Sequence, residues 1–159
     1  VIERTPYVAR RRGSSLLARV ASALTGSAVG GVAAPDPLVR DASFVAFVGH
    51  DTNLANLGGM LEATWSMPGW PVNETPPAGA LWLELRRQPD GRQWVYASYV
   101  AQSAAQMRDA TPLSLATPPV TAAIRIPGCS TADAGYPCPV DAFVDVVNRA
   151  LDPDCVEKS

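Results

Sequence analysis

His50 and Asp51 are the residues of this chain best suited to chemistry, because His50 is the only histidine among 159 residues and a carboxylate follows it directly. An imidazole can donate hydrogen bonds to phosphate oxygens, and a carboxyl group beside it can carry a proton to a leaving group. The pair also precedes a segment of helical character. Helix N-termini favour anions, since they offer free N–H groups and the positive end of the helix dipole. The pair therefore predicts an anion site with an acid/base group.

A purely structural role for the pair is the competing interpretation, in which Asp51 only caps the helix. The sequence lacks the residues that other chemistries require. One histidine, three scattered cysteines and no His-Glu-x-x-His sequence argue against a zinc site, and no Gly-x-Ser-x-Gly or Walker A sequence is present. Gly58 and Gly59 lie within the helical pattern, where close packing is the expected role. We predict no metal and no cofactor.

The elements that would position the pair are a strand before it and a helix after it. Residues 43–49, "SFVAFVG", are apolar on both alternations and rich in β-branched and aromatic residues, which predicts a strand buried on both faces of a parallel sheet. Thr52 or Asn53 is the predicted N-cap of the following helix. Ligands of open α/β sheets bind beyond the carboxyl ends of such strands. The apolar residues of that helical period are Leu54, Leu57, Met60, Leu61 and Trp65.

The remaining segments complete an α/β fold in which an antiparallel hairpin is attached to a mainly parallel sheet. Residues 80–87 and 93–102 alternate in polarity, and Asp90-Gly91 between them is a turn signal, so they predict the hairpin. The other predicted elements are a helix at 14–24, a short helix at 103–109, a strand at 120–126 and a helix at 139–151.

The composition describes a globular protein with room for one domain, since 47% of residues are hydrophobic and 18% are charged. A net charge of −2 gives no general attraction to nucleic acid, and we predict no nucleic-acid partner. Arg10–Arg12 is the local exception; a solvated helix face is favoured there over a phosphate-backbone contact. We predict no membrane span, because the longest uncharged stretch is short and rich in Ala, Gly and Ser. The opening residues have neither an initiating Met nor an apolar leader, which suits the interior of a longer polypeptide or a processed product.

The three cysteines suggest an oxidising compartment. Cys129 and Cys138 bracket a turn-rich loop, "STADAGYP", that could close as a local disulfide. Cys155 is then left over, which suggests a partner outside the chain. Three reduced thiols in a cytosolic protein are the alternative.

Several stretches resemble the C-terminal part of the histidine acid phosphatases, a family of the histidine-phosphatase (phosphoglycerate-mutase-like) fold. They are "FVGHDTNLANLGGML", "PGWPVNETPPAGALWLELRR", "ERTPYVARRRGSSLL", "QMRDATPLSLATPP" and the spacing of the three cysteines. The resemblance is strongest to the branch with the bacterial periplasmic phytases and glucose-1-phosphatases, and it covers nearly the whole of residues 1–159. It implies the C-terminal segment of one α/β domain and a periplasmic or secreted location.

The resemblance also implies roles for the residues of the site. His50 would hydrogen-bond the transferring phosphoryl group. Asp51 would protonate the leaving alcohol and then act as the base for the water that hydrolyses the phosphoenzyme. Thr52 would lie on the substrate side. The implied substrate is a phosphorylated small molecule such as an inositol or sugar phosphate, and no metal is implied, because arginines and histidines neutralise the phosphate charge.

One part of the family pattern is missing. The family nucleophile is a histidine in an N-terminal Arg-His-Gly-x-Arg-x-Pro motif, and this sequence contains none. We therefore expect an acid phosphatase or phytase-like enzyme whose N-terminal portion supplies the nucleophile and is a partner of this chain, with the chain inactive by itself. The alternatives are a non-catalytic anion-binding remnant of a truncated phosphatase and a glucose-1-phosphatase-like enzyme.

Overall fold

The protein, described here by a computed structural model, combines five α-helices with one small sheet over residues 2–157. Two 3-10 turns, Ile2–Arg4 and Pro153–Cys155, lie near the ends of that range. The helices are α1 (Pro6–Thr25), α2 (Pro37–Arg40), α3 (Asp51–Met60), α4 (Ala104–Arg108) and α5 (Val140–Ala150). The strands are β1 (Ala80–Arg87), β2 (Gln93–Ala101), β3 (Val120–Ile124) and β4 (Cys138–Pro139).

Helix α1 is longer than its hydrophobic period predicts, since it begins at Pro6 rather than near residue 14. Proline is well placed in a first turn, where a backbone N–H would have no partner within the helix. The early start puts Arg10–Arg12 on an exposed face of the helix, as expected for a solvated run. Arg10 donates to the carbonyl of Leu151 over 2.7 Å, and Arg12 pairs with Glu3 at 3.0 Å. None of the helices in residues 2–157 has the length and apolar character needed to cross a membrane.

The sheet has the order β1-β2-β3, with β4 also paired to β2. The α/β class is confirmed, but every pairing among the described strands is antiparallel, so the prediction of a mainly parallel sheet is wrong for this part of the chain. The hairpin is confirmed, with its turn around Asp90-Gly91. Gln88 N–H donates to the carbonyl of Arg92 over 2.8 Å, and Asp90 accepts from Arg92 N–H over 3.0 Å.

The prediction of a strand at 43–49 is also wrong. These residues form no strand or helix, and all of them are exposed. Phe44 keeps 66% and Val48 99% of their accessible surface. A strand is defined by the hydrogen bonds that it makes with a neighbour, and no described strand pairs with this segment. Its one aromatic contact joins Phe44 to Trp82 of β1, with ring centroids 5.6 Å apart.

The core lies between one face of the sheet and helices α1, α3 and α5. Trp65, Tyr99 and Phe143 are its largest fully buried side chains. Helix α5 follows its predicted period, with Phe143 and Val147 fully buried. Helix α2 was not predicted, although its signal is present: Asp36 caps it by accepting from Leu38 N–H over 2.8 Å, and Pro37 occupies the first turn.

A disulfide joins Cys129 to Cys138, which confirms the predicted pairing. The Cα atoms are 5.2 Å apart, and the bridge connects the loop after β3 to β4. On the chain-entropy model, closing so short a loop contributes about 2–3 kcal/mol to stability. Cys155 is a free thiol of intermediate exposure, 3.6 Å from a guanidinium nitrogen of Arg11.

The contact of α3 with Ile2–Arg4 depends on Gly59. A Cβ atom at this position would lie 2.6 Å from the carbonyl oxygen of Arg4 and 2.9 Å from its Cα, so backbone would have to move. We expect Gly59→Ala to lower the free energy of unfolding by about 1–3 kcal/mol, as overpacking does, although Ala is the better helix former. Gly13→Ala is the matched control, because its Cβ would meet the flexible side chain of Met60, at 2.7 Å from Sδ, and the Cβ of Asn56, at 3.2 Å, with backbone no nearer than 3.8 Å. Denaturant unfolding of both variants checks this; an equal or larger loss for Gly13→Ala would contradict it.

The cysteines give a second prediction. Since Cys129 and Cys138 are joined to each other, Cys155 is expected to pair with a cysteine outside this chain. Non-reducing peptide mapping of the native protein should yield the 129–138 peptide pair and a separate linkage through Cys155. A linkage of Cys155 to Cys129 or Cys138 would refute the assignment.

Candidate active site

The junction before α3 fixes the backbone of His50. His50 is the N-cap residue, with an extended backbone (φ −109°, ψ 166°), and its N–H donates to Oδ1 of Asn53 over 2.9 Å. The N–H of Asn53 in turn donates to the carbonyl of His50 over 3.0 Å. These reciprocal bonds satisfy groups that a helix terminus otherwise leaves without partners. The predicted N-cap at Thr52 or Asn53 was thus two or three residues late, and Asn53 stabilises the junction from the third helical position.

Asp51 and Thr52 occupy the first turn of α3. Oδ1 of Asp51 accepts from Thr52 N–H over 2.7 Å, so the carboxylate is turned toward the helix terminus, where the dipole favours negative charge. His50, Asp51 and Thr52 are all exposed. The three predicted site residues therefore lie side by side on an open surface at one helix N-terminus.

The opposite end of α3 is held by Arg4. Its Nη2 donates to the carbonyls of Gly58, over 3.3 Å, and of Ala63. Its guanidinium lies 4.8 Å from the centre of the Trp65 ring, a cation–π contact. Partial burial lowers the pKa of Arg4 from its ordinary value, but a guanidinium keeps its charge in proteins. The cation therefore complements the negative end of the helix dipole.

Trp65 connects α3 to the sheet and to the loop between α3 and β1. Its ring stacks on Tyr99 with centroids 4.6 Å apart and planes 6° from parallel. Its backbone N–H donates to Oδ1 of Asn73 over 3.0 Å, and its indole N–H donates to the carbonyl of Glu74 over 2.8 Å. Asn73 N–H returns a bond to the carbonyl of Trp65 over 2.9 Å. The loop at 66–79 is therefore hydrogen-bonded to the residue that packs against α3, the helix that carries the candidate site.

Sequence reasoning placed Trp65 on the helical face of α3, whereas it follows the helix and packs against it at Gly58. The contacts of Arg4 and Tyr99 with Trp65 were not predicted. A possible signal was the pair Gly58-Gly59, for which close packing was predicted. The packing exists: a Cβ at Gly58 would lie 2.8 Å from the Trp65 ring.

The described cavities lie away from this surface. One of about 500 Å³ is lined by residues of the hairpin and the disulfide loop, including Trp94, Tyr96 and Asp133. Another of about 370 Å³ lies between the end of α1 and the start of α5. Neither is lined by His50 or Asp51, both of which are exposed. The groups of the candidate site can bind an anion and transfer a proton.

Comparison with known proteins connects this surface to a family. No protein-family model matches the sequence. The chain is 45% identical over 156 residues to phytase AppA of Escherichia coli, covering 98% of this chain and 35% of that protein. Its structure matches Hafnia alvei phytase in complex with myo-inositol hexakis sulphate with a TM-score of 0.87 and 38% identity, covering 98% of this chain and 38% of the other.

The chain is a homologue of the C-terminal part of bacterial phytases. This relationship confirms the resemblance to the histidine acid phosphatases. A glucose-1-phosphatase of Providencia rettgeri is also similar, with 31% identity over 115 residues that cover 70% of this chain and 27% of that protein. The chain thus spans about a third of the length of phytase AppA.

Proposed function

We propose that this chain is the His-Asp part of a phytase-like phosphomonoester hydrolase that works through a phosphohistidine intermediate. The observation that supports it is the position of His50 and Asp51 at the N-terminus of α3, in a chain 45% identical to a phytase. The nucleophilic histidine comes from an N-terminal portion that carries the Arg-His-Gly motif. The site is then assembled from two parts of one protein.

The geometry of α3 suits the proposed roles. The helix N-terminus and the imidazole of His50 face the negative charge of the phosphoryl group and stabilise it during transfer. Asp51 gives its proton to the departing alkoxide and then takes a proton from the attacking water. Thr52, one residue further, contacts the substrate. The backbone bonds of His50 with Asn53 hold these groups in place before substrate arrives.

The proposed substrate is a small molecule with phosphate on a hydroxyl group, such as an inositol phosphate. The support is chemical: the Hafnia alvei phytase structure contains an inositol esterified with sulphate, whose tetrahedral oxyanions resemble phosphates. A sugar phosphate is the second candidate, favoured by the glucose-1-phosphatase relatives. Comparing turnover of an inositol phosphate with that of glucose 1-phosphate distinguishes the two.

The proposed partner is the N-terminal portion of the same phosphatase. Exposed apolar side chains support this proposal, because exposed apolar patches often mark interaction sites. They include Phe44 and Val48 before the site and Leu113 and Leu115 in the loop before β3. The disulfide supports a periplasmic or secreted location.

Residues 1–159 alone are expected to hydrolyse no phosphate monoester above background. Without a second histidine the chain cannot form the phosphoenzyme, so its groups can only bind. A continuous assay with a nitrophenyl phosphate checks this, with the full-length protein as the positive control. Turnover by the isolated chain that disappears in His50→Ala would show that the nucleophile lies within it. An inactive full-length protein that still binds phosphate would favour the non-catalytic remnant.

Asp51→Asn in the full-length protein tests the proposed acid. The amide keeps the size of the side chain but has no proton to give, so turnover of an inositol or sugar phosphate should fall by about 10²–10⁴-fold. Turnover of a nitrophenyl phosphate should fall much less, since that leaving group departs without a proton. If Asp51 only caps the helix, the variant loses about 0.5–2 kcal/mol of stability and affects both substrates equally; that result would remove Asp51 from the chemistry.

A further inference from the structure

The face of the sheet that points away from the core carries a groove near the tip of the β1–β2 hairpin. Trp94 and Tyr96 of β2 line it, together with residues of the hairpin turn and of the disulfide loop. The two rings alternate along the strand with Val95 and Ala97, which are buried in the core, so they lie on the opposite face of the sheet. This hairpin groove has a volume of about 500 Å³, within the range of small-molecule sites.

Two short loops form the walls of the hairpin groove. In the hairpin turn, Nε of Arg92 donates to Oδ2 of Asp90 over 2.6 Å. In the disulfide loop, Thr131 N–H donates to the carbonyl of Pro137 over 2.8 Å, and the Thr131 hydroxyl donates to Oδ2 of Asp133 over 2.9 Å. Because hydrogen bonds and a disulfide hold these loops, a ligand between them has little ordering left to impose, which favours binding.

The two rings differ in what they offer to a ligand. The guanidinium of Arg86 lies over the Tyr96 ring, 4.2 Å from its centre, and a Cβ atom at Gly135 would lie 3.2 Å from Cδ1 of the same ring. Tyr96 is thus enclosed at its ring, and its hydroxyl is the group that stays available. The guanidinium of Arg92 is farther from the Trp94 ring, at 5.9 Å, and Arg92 is largely exposed. The indole of Trp94 is therefore the apolar surface of the hairpin groove.

Trp94 also has a donor that the fold does not use. The indole N–H groups of the other three tryptophans, Trp65, Trp70 and Trp82, donate to acceptors 2.7–3.0 Å away. The indole N–H of Trp94 has no acceptor among the described residues, and neither the Tyr96 hydroxyl nor the side-chain amide of Gln88 has a partner there. Pockets bind small molecules through an apolar surface and a few directed polar groups, and the hairpin groove combines the two.

The charges around the hairpin groove favour an uncharged ligand. Its ionised lining residues are Asp90, Arg92 and Asp133, so one cation stands against two carboxylates, and the cation is already paired with Asp90. A phosphate would therefore meet more negative than positive charge there. A sugar ring fits better, because its C–H groups can pack on the negative face of an aromatic ring while its hydroxyls both donate and accept hydrogen bonds.

We propose that the hairpin groove binds a sugar ring of an uncharged carbohydrate. The C–H face of the sugar packs on the indole of Trp94. Its hydroxyls accept from the Trp94 N–H and the Tyr96 hydroxyl and donate to Oδ1 of Asp133, the oxygen that Thr131 leaves free. Neither His50 nor Asp51 lines this groove, so the sugar site is separate from the candidate active site and does not depend on the proposed function.

Titration calorimetry of the full-length protein with neutral oligosaccharides tests this proposal. The probes are cellotetraose, maltotetraose and N-acetylated chitotetraose, each titrated in saturating inorganic phosphate so that the phosphate site is already filled. We expect saturable binding of at least one probe. Trp94→Ala should weaken it about tenfold or more, because the aromatic contact is lost. Trp94→Phe keeps an aromatic ring without the N–H and should cause a smaller loss, with hydrolysis of a nitrophenyl phosphate unchanged.

Trp82→Ala is the matched control. Trp82 lies on the same face of the sheet, since it pairs with Ser98 as Arg86 pairs with Trp94, but it does not line the groove. Its removal should leave sugar binding unchanged. The proposal is overturned if no probe binds saturably, if binding occurs only without phosphate, or if Trp82→Ala weakens binding as much as Trp94→Ala does. It is also overturned if Trp94→Ala binds as tightly as the unmodified protein. Thermal unfolding establishes that each variant is folded; should Trp94→Ala not fold, undiminished binding by Trp94→Phe overturns the proposal instead.

Discussion

The contacts of the Trp65 ring hold three separate parts of the molecule together. One face of the indole stacks on Tyr99 in the sheet, and the guanidinium of Arg4 lies over the ring. The ring also lies against α3 at Gly58, and its N–H bonds the loop at Glu74. A large aromatic side chain is suited to such a position, because it buries much apolar surface and still offers one directed donor. Together with the packing of α3 on α1 and on Ile2–Arg4, these contacts help to fix α3, which carries His50 and Asp51, relative to the sheet.

Helix α3, which carries the candidate site, is held in place, whereas the surface at its N-terminus is exposed. The helix is fixed at both ends, by Asn53 near its start and by Arg4 near its finish. His50, Asp51 and Thr52 at its N-terminus are exposed, and the exposed segment at 43–49 that precedes them pairs with none of the described strands. A fixed helix terminus beside an unpaired apolar segment supports the proposal that the second half of the site comes from another part of the polypeptide.

The sequence predicted most reliably those elements whose partners are close in the chain. The hairpin needs only its own alternation and the Asp90-Gly91 turn, and α5 needs only its apolar face; both are found where expected. The segment at 43–49 has an equally clear strand pattern, but pairing is a property of two segments, and none of the described strands lies alongside it. The position of His50 and Asp51 at the start of α3 was likewise predictable from local signals. The support from Arg4, Trp65 and Tyr99 was not, because it joins residues up to 95 positions apart that only the tertiary fold brings together.

Through the hydrogen bonds of Arg4, residues 2–4 influence amide exchange in the last turn of α3. Because its guanidinium satisfies the carbonyls of Gly58 and Ala63, the last turn of α3 is stabilised by a residue more than fifty positions earlier. Helix ends normally fray and exchange their amide hydrogens first. Here the slowest-exchanging amides of α3 should extend to its final turn, and protection of that turn should depend on residues 2–4 remaining in place.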